Sequence, residues 1–200
     1  VKYDEGILLD LKMLVDEKRL PPIDRWAVQN DLFSLCVSGD EQVRNYLDFS
    51  DAYFDEDSYL ASVNVAHNLA SLYFRAFDEP FVEEIRSYTV NYFRKILSNL
   101  GWEPKKSDKH TDALLRTFTI SVLGKMNDDT VTDEAIRKYK KFLKSPRSLS
   151  PDLIETICSI AAWNGNSKTF AELKKLYTNA KTMEEKLRFL GAMCGFQDKK

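Results

Sequence analysis

Long apolar runs are missing from this sequence, and so is any excess of basic charge. No stretch approaches the roughly 20 apolar residues that span a bilayer, and the opening VKYDEGILLD has neither the basic region nor the small-residue cleavage site of a secretory signal. Lysine and arginine number 29 against 31 aspartates and glutamates, a formal charge of −2. No surplus of cations is left to neutralise a phosphate backbone or an anionic bilayer, which argues against nucleic acid and membrane as partners. Cysteine is scarce: Cys36, Cys158 and Cys194 are odd in number and far apart. They predict three small buried apolar side chains in a reducing compartment rather than a disulfide framework. No Asn-x-Ser/Thr sequon occurs either, and both points favour a cytoplasmic location. The two histidines, His67 and His110, belong to no His-x3-His, H-E-x-x-H or C-x-x-C pattern, so no zinc site announces itself. The common glycine-rich phosphate loops are absent too.

What the sequence does have is a helical period almost throughout. Tyr59, Val63, Ala66, Ala70, Tyr73 and Phe77 step by four, three, four, three and four, drawing a stripe along one long helix. Punctuation separates the helices. In LPPIDRW, Pro22 fits the first turn of a new helix, and in SLSPDL, Ser150 can cap a helix that has Pro151 at its first position. Thr182 and Glu185 have the spacing at which a hydroxyl and a carboxylate each satisfy the other's free backbone N–H. These signals predict about ten helices, near residues 5–17, 22–38, 40–50, 56–77, 79–99, 109–125, 130–144, 151–163, 167–178 and 182–194, with ends placed to within about 2–4 residues. Short links force antiparallel hairpins. The expected fold is therefore all-α, an irregular α-solenoid of helical hairpins of the HEAT or ARM kind, since no repeat of fixed period is present.

Clusters that could carry chemistry each have a plainer reading. The acids of FDEDS, DEPFVEE and NDDTVTDE stand at predicted helix starts, where carboxylates cap backbone N–H groups and complement the helix dipole. The basic runs KKSDK and RKYKKFLK read as solvated helix faces. Trp26, Trp102 and Trp163 fall at helical spacing and suit wedges between helices. His67 and His110 are expected to be structural or solvent-facing. No local pattern supplies a nucleophile and its base.

Three segments go further. LPPIDRWAVQNDLFSLCVSGD (20–40), LGWEPKKSDKHTDALLR (100–116) and the span from Ser150 to Met193 follow one another in an order and spacing that resemble the C-terminal helical domain of gluzincin-type zinc aminopeptidases. The branch most similar is that of puromycin-sensitive aminopeptidase and its cytosolic relatives. The resemblance covers essentially the whole chain. Val1, Tyr3 and Asp4 match the second half of a Tyr-Arg-Val-x-Tyr-Asp stretch that ends the family's preceding β-domain. On that reading residues 1–3 are the remnant of a strand, and residues 4–200 are the helical domain, cut short at its C-terminal end.

The resemblance implies a zinc-dependent enzyme that removes N-terminal residues from peptides. Its metal would be held upstream, by H-E-x-x-H and a later glutamate beside a Gly-x-Met-Glu-Asn motif, none of which occurs here. It thus implies no cofactor in this fragment, zinc in the parent enzyme, and two partners: the chain's own catalytic domain and peptide substrates. The helical domain would enclose the active-site chamber and shape peptide access, without turnover of its own. Of the matched polar residues, Asp24, Arg25 and Asp31 are expected to lock hairpins together, and Trp102 to pack the end of a helix pair, with Leu114 and Leu115 entering the core beyond it. Arg116 and Arg188 are candidate contacts for a peptide carboxylate. The alternative is a free-standing helical scaffold that binds other proteins. A self-sufficient enzyme lacks any convergent motif. An apolar face near Leu187, Leu190 and Met193 is expected to lie uncovered.

Overall fold

The structure is a computed structural model and describes residues 2–196. Ten α-helices follow one another among them: α1 Glu5–Asp16, α2 Pro22–Ser38, α3 Val43–Ser50, α4 Tyr59–Arg75, α5 Val82–Leu100, α6 His110–Lys125, α7 Asp129–Lys144, α8 Pro151–Trp163, α9 Ser167–Asn179 and α10 Met183–Cys194. Two short 3-10 turns, Asp51–Tyr53 and Pro146–Ser148, join neighbours. The fold is all-α. Lys2 and Tyr3 are irregular, no described residue is in a strand, and Val1 lies outside the described residues.

Local chemistry explains most boundaries. Asp4 accepts the Ile7 N–H and starts α1, and Asp128 accepts from Val131 to start α7. Thr182 and Glu185 form the reciprocal cap of α10. Pro22 and Pro151 occupy first-turn positions, where a missing N–H costs nothing. Ser150, expected to cap α8 with its hydroxyl, sits at the N-cap but makes no such bond.

The chain divides into two compact units between Ile96 and Leu97. In the first, α2 packs on α3 and α4, and α1 packs on the 51–53 turn. Helix α4 is buried over a wide face, with Ala61, Val65, Ala66 and Leu69 fully hidden. The predicted stripe catches only one edge of that face, and its last member, Phe77, lies beyond the helix and is 56% exposed. In this unit's core Gln29 is saturated. Its amide nitrogen donates to Trp26 O at 3.1 Å and to Asn64 Oδ1, and its oxygen accepts from Tyr46 Oη at 3.1 Å and Asn68 Nδ2 at 3.0 Å.

In the second unit α8 is central and meets α6, α7, α9 and α10, while α10 also packs on α9. Its buried face is mostly apolar, from Leu153 through Ile157, Cys158, Ile160 and Ala162, with Thr156 the polar exception. Gly124 on α6 lets α8 come close: a Cβ there would lie 2.5 Å from Ile160 Cδ1. The cysteines differ from expectation. Cys158 is buried, but Cys36 is half-buried and Cys194 exposed, because an apolar run on an amphipathic helix still has an outer edge.

Candidate functional site

Arg25 forms the first polar centre. The Leu20-Pro21-Pro22 entry sets α2 so that residue 25, one turn in, faces the core, and Arg25 is 3% exposed. Its Nε and Nη2 donate to the two oxygens of Glu56 at 2.7 and 2.6 Å, Nη2 also to Asp57 at 2.9 Å, and Nη1 to Leu20 O at 2.7 Å. Glu56 further accepts the Ser58 N–H, and Tyr53 Oη donates to Arg25 O at 2.6 Å. Donation to the Glu56 carboxylate raises the guanidinium's pKa against the opposing effect of burial. The acids of FDEDS thus serve an arginine 31 residues away rather than a helix dipole alone. Of its motif partners, Asp31 accepts from Tyr3 Oη at 3.4 Å, while Asp24 is exposed in the first turn of α2, placed to complement the helix's positive end.

The second centre is the connector after α5. Gly101 adopts φ +70°, a left-handed conformation that ends the helix and that a side chain would strain. The carbonyls this exposes are taken by cations: Lys105 Nζ donates to Asn99 O at 2.8 Å, and Arg116 donates from Nε to Gly101 O at 2.9 Å and from Nη2 to Leu100 O at 3.2 Å. Arg116 Nη2 also meets Asp108 Oδ2 at 2.5 Å. That carboxyl is held below its ordinary pKa, first by the Lys105 backbone N–H and then by Arg116.

Arg116 is therefore not placed as expected for a substrate contact. It is 1% exposed, with Nε and Nη2 committed to its own connector, so it offers nothing to a peptide carboxylate. Arg188 lies on α10 and pairs with Glu184 one turn away at 2.5 Å. Trp102 is half-buried with Lys138 Nζ 5.7 Å from its ring centroid, and Lys138 also pairs with Glu103 and Glu134. Lys138 thus departs from the solvated face predicted for its run. Leu115 enters the core, but Leu114 is 49% exposed. His110 is exposed at the start of α6, and His67 is exposed with Nδ1 2.9 Å from Val63 O.

No three His, Cys, Asp or Glu side chains among the described residues converge on a point that could hold a metal ion. Burial pushes the Cys36 thiol up to about 11 and Cys158 up to about 12, the opposite of an activated nucleophile. A groove of about 610 Å³ runs along α6 and α8 and reaches Gly191 of α10, with Leu114, Phe118, Glu155 and Thr156 among its walls. No helix is long and apolar enough to cross a membrane among these residues.

This geometry is a set of clamped connectors and an open groove. Residues 1–200 match the model of the ERAP1-like C-terminal domain. The chain belongs to that family. Aminopeptidase M1-A of Oryza sativa subsp. japonica is 24% identical over 205 residues, covering 99% of this chain and 23% of the relative. Aminopeptidase M1 of Arabidopsis thaliana is 25% identical over 209 residues, covering 99% and 23%. The puromycin-sensitive aminopeptidase of Caenorhabditis elegans is 20% identical over 178 residues, covering 88% and 19%. The chain spans about a quarter of the length of the plant relatives. Membership of the ERAP1-like family accounts for the three sequence segments that resembled aminopeptidases.

Proposed function

We propose that this chain is the helical domain of a zinc-dependent, cytoplasmic aminopeptidase, and that it encloses the chamber in which peptides lose their N-terminal residues. The observation that carries this is the match of residues 1–200 to the ERAP1-like C-terminal domain, in a chain whose curated relatives are aminopeptidases about four times longer. Catalysis and zinc binding belong to another part of that enzyme, and this part limits which peptides enter. Within the second unit the helices stack in the manner of an irregular solenoid. Support for the stacking comes from the second unit, where α8 packs on both α6 and α10, two helices before and two after it, as successive hairpins in an array do.

The test is to sequence the transcript on both sides of the Val1 codon and assay its full-length product. An open frame with H-E-x-x-H and Gly-x-Met-Glu-Asn upstream, and a product that releases N-terminal residues and loses activity on zinc chelation, is the expected result. A start codon directly before Val1, with no such frame, overturns the proposal and leaves a free-standing scaffold.

A further inference from the structure

The run RKYKKFLK on α7 borders a cavity of about 460 Å³ within the second unit. Its walls come from α7, the end of α8 and the start of α9. Gly165 lets the last two close on each other, since a Cβ there would lie 2.5 Å from Ala161 O and 2.7 Å from Thr169 Cβ. Tyr139 lines the cavity and is 4% exposed, yet its Oη has no hydrogen-bond partner among the described residues. Buried hydroxyls seldom stay so. Glu172, on the facing wall, is close enough to raise the pKa of that hydroxyl, after burial and Cys158, but no aligned hydrogen bond joins them. Three cations complete the lining: Lys140, Lys144 and Lys168 are exposed, and none has an ion pair among the described residues. Lys144 complements the C-terminal end of α7. Lys140 stands a turn earlier, and Lys168 is in the first turn of α9, against the positive end of its own helix.

We propose that this cavity binds the phosphate monoester of a small polyol, such as a sugar phosphate. Three lysines against one glutamate leave the lining with two positive charges, which draws a doubly charged phosphate toward Lys140 and Lys168, each with three N–H donors. Phosphate alone leaves the other wall unanswered, because Glu172 repels it. The hydroxyls of a polyol serve both groups on that wall: one accepts from Tyr139 Oη, and another donates to the Glu172 carboxylate. The cavity's volume falls in the range of roughly 300–1,000 Å³ that holds small molecules. The site lies wholly in the second unit and does not depend on the aminopeptidase reading.

The test titrates the isotope-labelled 200-residue chain with glucose 6-phosphate, glucose and inorganic phosphate at low salt, with backbone amide shifts as the readout. Glucose 6-phosphate should bind tighter than either other probe, and its shifts should cluster at residues 139–144 and 164–172. Lys140→Gln and Lys168→Gln should each weaken glucose 6-phosphate and inorganic phosphate alike, by about two- to fivefold, the range of an exposed ion pair. Tyr139→Phe should weaken glucose 6-phosphate alone, by about two- to tenfold, the range of one hydrogen bond. Its melting temperature without ligand should be unchanged or higher, because the hydroxyl it removes has no partner in the chain. Glu172→Gln should bring the two phosphates closer in affinity, by lifting the repulsion of inorganic phosphate. Equal affinity for glucose 6-phosphate and inorganic phosphate marks an adventitious ion only and overturns the proposal. Shifts that map elsewhere, or no saturable binding of glucose 6-phosphate, overturn it too. So does a Tyr139→Phe chain that melts lower and binds as before, since the hydroxyl then serves the fold.

Discussion

Removing the Glu56 carboxylate should be among the most damaging single changes in the first unit. The side chains of Arg25 and Glu56 are 4% and 1% exposed and meet through two bonds of 2.6 and 2.7 Å. Glu56→Gln keeps the shape but faces the guanidinium donors with an amide that is itself a donor, leaving a buried charge half-answered. Breaking such a pair costs about 3–5 kcal/mol. Asp57 remains within 2.9 Å of Nη2, but it is 67% exposed, so its compensation is at most ~1 kcal/mol. The net cost is about 3 kcal/mol. At roughly 2–4 °C per kcal/mol for a domain of this size, the melting temperature should fall by about 6–12 °C. Circular dichroism melts read the shift, and hydrogen exchange should show the 20–25 and 54–58 backbone opening first. Replacing both partners, Arg25→Met with Glu56→Leu, should recover most of the loss, because no uncompensated charge is left. A loss under about 1 kcal/mol for Glu56→Gln, or a double variant worse than the sum of the singles, would refute the reasoning.

Three further outcomes follow from particular contacts. Gly124→Ala forces a methyl against the buried Ile160 and should cost about 1–3 kcal/mol despite the better helix propensity of alanine; adding Ile160→Ala should then cost less than Ile160→Ala alone in the same melts. Asp108 has a folded pKa below its ordinary 3.8, so the stability it contributes is present above that value and is lost as pH falls through the lower, folded one. The difference in melting temperature between the native chain and Asp108→Asn should hold from pH 8 to 5 and close below about pH 4. Thiol labelling at pH 8 should modify the exposed Cys194 rapidly, Cys36 slowly, and the buried Cys158, whose pKa is pushed up to about 12, only after unfolding; early loss of Cys158 would contradict the packing of α8.

Helix type and position were legible in the sequence because period and capping are local. Pro22, Pro151 and the Thr182–Glu185 pair mark starts that the structure keeps. Long-range choices were less legible. The stripe on α4 missed Ala61, Val65 and Leu69, since a helix packed on several sides has no narrow apolar seam. Leu114 and Leu115 are adjacent and chemically alike, yet neighbours on a helix point about 100° apart, so only one can enter the core. The Gln29 network leaves no sequence signal, because it depends on which helices touch. Of the face expected to lie uncovered, Leu187 and Leu190 are exposed, at 58% and 42%, while Met193 is half-buried.

Arg25 and Arg116 were read from the sequence as different things, a lock and a substrate contact, and the structure gives them the same task. Each lies on the inner face of its helix and reaches back to connector carbonyls, Leu20 O for one and Leu100 and Gly101 O for the other, while a carboxylate holds the guanidinium in place. Helix ends leave carbonyls without intrahelical partners, and a buried connector must answer them from a side chain. Only arginine has the planar fork that serves two acceptors in different directions at once; a lysine in either place carries the same charge but is a point donor on a flexible stem. The partner acids stand 31 and 8 residues away, so nothing in the flanking sequence separates a clamped arginine from a free one. At both sites buried charge therefore fixes how one helix follows the next.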